Sequence, residues 1–185
     1  MIIESIVSTR KDNGELNFAP MGVRFEKNDR IELIVYHSSK TYRNLSANRS
    51  GVVNLLSDVL TFVKCALSDH LPEHSVSAAS YGAILAMADE AIEFTIDTVE
   101  DLEIKSIMSG PVVSRVQLQT PRAGINRGQG AVIEALVAVT RIGVLPDDEI
   151  EGTIKRSSDI VGKTGGDQER EAIGIIESHY ERRQR

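Results

Sequence analysis

Three short stretches carry residue types that can bind or move charge. The first is Asn17-Phe18-Ala19-Pro20-Met21-Gly22-Val23, a strand-like run with a proline and a glycine inside it. Pro20 has no N–H to give a ladder, so it interrupts the strand or sits at its edge. Gly22 lets another group come close to the backbone. The amides of Met21 and Gly22 are then free to face a ligand instead of a neighbouring strand. A flat ring system such as an isoalloxazine, whose polar edge is read mostly by backbone groups, suits that arrangement. So does a plain β-bulge packed on the core.

The second stretch is Ser38-Ser39-Lys40-Thr41-Tyr42-Arg43-Asn44-Leu45. The spacing predicts a helix capped by Thr41, with Asn44 at its third position. The unpaired amides of a first helical turn attract anions. Lys40 and Arg43 add positive charge there, and Arg43 can grip a phosphate with two parallel bonds. The bland reading is an ordinary cap beside two solvated cations. The third stretch, Gly124-Ile125-Asn126-Arg127-Gly128-Gln129-Gly130, is glycine-rich, holds an arginine and leads into a helix. It fits a phosphate contact or a hinge.

Other residues offer less. Gly162-Lys163-Thr164 ends like a phosphate-binding loop, but Ser157 stands where a glycine is needed and no strand precedes it. His70 and His74 are separated by Pro72, so they share no helical face and offer no metal site. His37 follows a strand and reads as a polar strand-end residue or a general acid. Cys65, the single cysteine, lies in an apolar run and reads as a spectator. No Ser-His-Asp or Cys-His arrangement stands out.

The elements that must position these stretches are mainly β over residues 1–120. Ile2–Arg10 is a strand, Lys11-Asp12-Asn13-Gly14 a turn, and Ile31–Tyr36 and Gly51–Leu56 are further strands. Val59, Phe62, Val63 and Ala66 recur at helical spacing within Asp58–Leu67. Ser68–Ser80 reads as a loop, and Ala91–Val99 and Val112–Thr120 as the remaining strands. Residues 121–185 read as a helical appendage. Ala131–Ile142 is apolar on two sides, which places it between layers or at a subunit interface. Pro146-Asp147-Asp148-Glu149 starts a second helix, Gly162–Gly166 breaks it, and a third runs from near Asp167 to Arg183.

The chain has 185 residues, 41% hydrophobic and 26% charged, enough for a real core. Its formal net charge of -6 does not invite nucleic acid or anionic membrane over the whole surface, so an anionic ligand needs a local basic pocket. No apolar run approaches a membrane span and no basic leader precedes one, which makes cytoplasm the default expectation.

Several of these residues together resemble a known family. Ser8-Thr9, Asn13-Gly14, the Asn17–Val23 run, Thr41-Tyr42-Arg43-Asn44-Leu45 and Val53-Asn54 resemble the family called domain of unknown function 447. Asn126-Arg127-Gly128, the segment from Ala131 to Ala135, and Thr140-Arg141 resemble its C-terminal helical part. That family is similar to the FMN-binding split barrels, which include flavin reductases and pyridoxamine-phosphate oxidases. The resemblance implies a mainly β fold with α: a six-stranded Greek-key split barrel plus a C-terminal helical appendage. It also implies a homodimer with FMN in a cleft between subunits.

On that resemblance Thr9, Ala19, Met21 and Gly22 lie along the flavin ring and ribityl chain. Lys40, Thr41, Arg43 and Asn44 hold the phosphate, Asn54 supports the pocket, and Arg127 is an addition. No metal ligand and no essential protein acid or base is implied. The activity implied is a flavin reductase-like oxidoreductase with a small-molecule electron donor or acceptor. Some members are associated with tetrahydromethanopterin-linked one-carbon metabolism. The alternatives are FMN carriage or sensing without turnover, and a structural protein that has lost the cofactor.

Overall fold

The structure is a computed structural model that describes residues 2–68, 70–77, 79, 81–120 and 126–184. It divides into two compact units, Met1–Leu56 with Leu71–Pro121, and Ser57–His70 with Arg122–Arg185.

The first unit holds β1 (Ile2–Arg10), β2 (Leu16–Glu26), β3 (Arg30–Tyr36), α1 (Lys40–Asn48), β4 (Ser50–Leu55), β5 (His74–Val76), β6 (Ala83–Leu85), β7 (Glu90–Thr95), β8 (Thr98–Asp101) and β9 (Lys105–Gln117). The strand order β3-β2-β1-β4-β7-β9 closes on itself because β9 also pairs with β3, and β8 extends the line of β7 along β9. All these pairings are antiparallel. The chain passes from β3 across the meander to β4, which lies beside β1, and α1 makes that crossing. This is the expected six-stranded barrel.

Strand alternation sorts the barrel's residues. Val7, Val23, Leu33, Val53, Ile92 and Met108 point inward and form one buried cluster with Ile31, Val35, Leu45 and Phe94. The opposite face of β1 and β4 is covered by the β5–β6 hairpin. Ser8 Oγ accepts from the Ala83 N–H at 2.9 Å and donates to the Ala83 carbonyl at 2.7 Å.

β9 starts at Lys105, before the expected Val112, and carries Gly110-Pro111 within it. Both residues sit where β9 changes neighbours. Residues 106–109 lie between β8 and β3, whereas Val112 onward pairs with β7 past an irregularity at Glu93/Phe94. A proline is tolerated where the ladder changes hands. Gly110 is required by proximity, since a Cβ there would stand 1.9 Å from the Thr95 carbonyl oxygen.

Glu93 is buried and meets no cation among the described residues. It accepts from the Ala79 N–H at 3.2 Å and the Ser114 hydroxyl at 2.5 Å, and also from Ser77. Burial pushes its pKa up, but the bonds from Ser114, Ser77 and Ala79 outweigh this and hold it below the ordinary value. The carboxylate thereby pins the segment before β6 against β7 and β9.

The second unit packs α2 (Val59–Leu67), α3 (Arg127–Val139), α4 (Asp147–Thr164) and α5 (Asp167–Arg183). α2, although within the first 120 residues, groups with the later helices. Asp58 caps it through the Leu60 N–H, and Lys64 pairs with Glu171 of α5 at 3.0 Å. Both apolar sides of α3 are covered inside this unit, by α4 and by α5 with α2. The helix therefore lies between layers, and its apolarity gives no reason for a second copy. Burial, and then the Asp58 carboxylate, push the Cys65 thiol up to about 11, so it remains a protonated spectator.

Two outcomes follow for the first unit. Gly110→Ala is expected to cost at least about 3 kcal/mol, beyond ordinary overpacking, because backbone and not a side chain must move; urea unfolding measures it. Glu93 is favoured as its ion in the fold, so its contribution is present at neutral pH and lost as pH falls through its lowered folded pKa. The stability gap between wild type and Glu93→Gln is expected to narrow on acidification. A gap that stays constant with pH would contradict the ionic anchor.

Candidate functional site

The site grows from a mismatch in strand pairing. β2 is paired with β1 from Leu16 to Arg24, but with β3 only through Val23–Glu26. Beyond Leu33, β3 continues with β9 alone. Along Leu16–Gly22 every second peptide group of β2 therefore faces away from β1 with no strand beside it. Pro20 lies in this one-sided stretch, opposite Ile6, so it marks an edge and does not interrupt the strand. Ala19 and Met21 are half-buried there, and Met21 also packs on the barrel core. Gly22 is half-buried too, and the space over it is taken by Ile2, whose methyl would lie 2.7 Å from an added Cβ.

α1 packs over the ends of β1, β2 and β3. Its cap is Ser39, not Thr41. The Ser39 hydroxyl accepts from the Tyr42 N–H at 3.0 Å and donates to the Tyr36 carbonyl at 2.8 Å. That second bond fixes the start two residues earlier than the sequence suggests. Thr41 is instead drawn into the structure, where its hydroxyl accepts from Asn17 Nδ2 at 3.1 Å. Asn44 Nδ2 likewise donates to the Thr9 hydroxyl at 3.0 Å. Thr9, Thr41 and Asn44 are all buried. Because each hydroxyl oxygen is used as an acceptor, each hydroxyl hydrogen remains to be donated elsewhere.

Lys40 and Arg43 are exposed at the start of α1, and neither forms a salt bridge among the described residues. No acid stands in the first turn. Cations at this end oppose the helix dipole, which favours negative charge there. The amides of Lys40 and Thr41 also lack a described acceptor. Two cations and two open amides form the donor set of an anion site, with Glu15 near enough to Lys40 to feel its charge.

Asn54 is not brought to this place. Asn54 is fully buried on the barrel's other face, donating to the Ile6 and Ala83 carbonyls at 3.3 and 3.2 Å and accepting from the Leu85 N–H at 2.9 Å. It holds β6 onto the barrel. Arg127 is exposed on the second unit, at the first position of α3. In the third stretch, Asn126 caps α3 through the Gly128 N–H at 2.8 Å and Gly128 packs against the Gly165 backbone. Gly124 and Ile125 lie outside the described residues.

One cluster escaped the sequence reading. Ser106, fully buried on β9, lies 2.9 Å from His37 Nε2 and donates to Asp101 at 2.5 Å. Ser106 has one hydrogen, which goes to the Asp101 carboxylate, so His37 Nε2 carries the proton it shares. That polarity is the reverse of a nucleophilic triad, in which histidine takes the serine proton. His37, 69 positions from Ser106, is thereby tied to the β8–β9 turn, which joins that turn to the corner before α1. The His37 ring also meets the Tyr42 ring, tilted, with centroids 4.7 Å apart. His74 is engaged elsewhere, with Nδ1 2.7 Å from the Pro72 carbonyl. Among the described residues no cluster of histidine, cysteine or acids is arranged to hold a metal, and no helix is long and apolar enough to cross a membrane.

Known proteins share this architecture. An FMN-bound protein from Methanosarcina mazei matches with a TM-score of 0.86 at 23% identity, over 96% of this chain and 94% of that one. An FMN-binding protein from Thermus thermophilus matches at 0.55 and 16% identity, over 63% and 70%. The styrene monooxygenase flavin reductase from Pseudomonas putida S12 matches at 0.55 and 12%, over 64% and 82%. At these identities the likeness is one of fold. The family description "Protein of unknown function (DUF447) N-terminal domain" matches residues 3–118, and its companion, "Protein of unknown function (DUF447)", matches residues 126–178. The chain therefore belongs to the DUF447 family of proteins of unknown function.

Proposed function

We propose that this chain binds FMN and acts as a flavin reductase-like oxidoreductase. The observation that carries the reading is the α1 start: an acid-free turn with two cations and two open amides, beside a strand that is paired on one side only. Lys40, Arg43 and the Lys40 and Thr41 amides suit the phosphate. The Ala19–Gly22 edge of β2 supplies backbone groups for the ring. Thr9 and Asn44, being buried, act by tying α1 to β1, while Asn17 fixes Thr41. Asn54 holds β6 to the barrel and is left out of the site. FMN, when bound, supplies hydride or electron transfer, and the protein binds, orients and shields it. The fold of the M. mazei and T. thermophilus proteins, both described with FMN, supports the reading.

The homodimer belongs to the same proposal. Ile2, Ile34 and Tyr36 share the outer face of β1–β3 and are 56%, 41% and 54% exposed, with Ile104 nearby at 63%. Apolar surface gathered beside the open edge of β2 favours a partner, and a second copy would shelter the ring. The family resemblance directs the search for a substrate toward tetrahydromethanopterin-linked one-carbon chemistry.

Extraction of flavin from the purified protein is expected to yield FMN; FAD alone, or no flavin after reconstitution, would contradict the reading. Anaerobic bleaching by NADH or NADPH tests turnover against mere carriage. Arg43→Ala is expected to weaken FMN binding about tenfold to a hundredfold, the worth of a charge-assisted bond, and more than Lys40→Ala does, because guanidinium bonds bidentately. Fluorescence titration of apo-protein checks both. Sedimentation is expected to show a dimer that FMN tightens; a holo-monomer at micromolar concentration would remove it.

A further inference from the structure

A cleft of about 380 Å³ opens in the first unit at the far end of α1, lined by Arg10, Asn13, Asn48, Ser50 and Tyr81 among others. The volume is that of a small-molecule site. Thr9 and Arg10 are consecutive in β1, so they project to opposite faces. The Thr9–Thr41–Asn44 cluster and the Arg10 cleft are thus different places.

The charges in the cleft are unevenly matched. Lys11 pairs with Glu15. Asp12 lies on the rim and is exposed. Arg10 is only half-exposed, and its guanidinium has neither a salt bridge nor a hydrogen bond among the described residues. It lies over the turn at Gly14. Gly14, at φ 88°, leaves room for it, and a Cβ there would stand 3.4 Å from Nη2 and 3.8 Å from Nε.

The walls are held. Asn13 Oδ1 accepts from the Glu15 N–H at 3.1 Å and its amide also donates to the Glu15 carboxylate, which leaves one amide hydrogen. Asn48 Nδ2 donates to the Arg10 carbonyl at 2.7 Å, which leaves its Oδ1 as an acceptor. The Tyr81 N–H donates to Ser77 Oγ at 3.1 Å, and Ser77 is itself bonded to the buried Glu93. A chain of bonds from a buried carboxylate therefore sets the residue that walls the cleft. An unpaired guanidinium matches the fork of a carboxylate or phosphate.

We propose that this cleft binds a small organic anion, its carboxylate or phosphate head held by Arg10 and its neighbouring hydroxyl or amide groups by Asn13 and Asn48. The proposal stands apart from the flavin reading, because it uses none of the same residues.

The test follows the backbone amides of Gly14 and Tyr81 by NMR in the full chain while inorganic phosphate or malonate is added. Saturable shifts at both amides are expected with at least one probe. Phosphate alone would identify a phosphate head, malonate alone a carboxylate, and either result supports the site. Arg10→Gln is expected to weaken the binding about tenfold or more, with FMN affinity unchanged. Arg10→Lys, which keeps the charge and loses the fork, is expected to weaken it severalfold, and it guards against a folding defect in the first variant. Shifts that grow without saturating, or equal affinity in wild type and both variants, would overturn the proposal.

Discussion

β3 pairs with β9 along its whole length but with β2 only over Arg30–Leu33. It leaves β2 at Val23 and runs on with β9 from Arg30 to Tyr36. Everything particular to this fold follows from that parting. β2 keeps one bare edge from Leu16 to Gly22. The chain must then cross from the end of β3 to β4 on the far side of the meander, and α1 makes the crossing over the ends of β1 and β2. The helix start and the bare edge come together because one departure creates both.

The polar residues near this junction are placed by the same logic. Buried polar groups need partners, and here the partners are structural seams. Asn17 and Asn44 clamp α1 to β2 and β1 through threonine hydroxyls. His37, Ser106 and Asp101 tie the corner before α1 to the β8–β9 turn. Asn54 and Glu93 fasten the β5–β6 region to the outside of the barrel. What remains unpartnered at the start of α1 is cationic. A helix that places Lys40 and Arg43 against its own dipole gives up local stability, and an anionic ligand would restore it.

Much of this was legible in the sequence where local chemistry decides. The hairpin at Lys11–Gly14, the buried strand around Val53, the helix after Asp58 and the three C-terminal helices all follow from period and turn residues. The family resemblance supplied the closed barrel itself. The parts that were not legible depend on distant contacts. Ser39 wins the cap over Thr41 because Tyr36, three residues back, offers it a carbonyl. β9 reaches back past Val112 through Gly110-Pro111, because it changes partners there. Asn54 suits a pocket by type and position, but its face is set by a hairpin 30 residues away. The Ser106–His37 contact spans 69 positions, and no spacing rule reaches it.

The central claim is that the α1 start and the bare edge of β2 form one ligand site. Amide hydrogen exchange with and without FMN tests it most directly. The account predicts that FMN slows exchange at Lys40, Thr41 and the Ala19–Gly22 edge together, while amides in the ladder between β7 and β9 are unchanged. Protection confined to any other part of the chain, or none at saturating FMN, would contradict it.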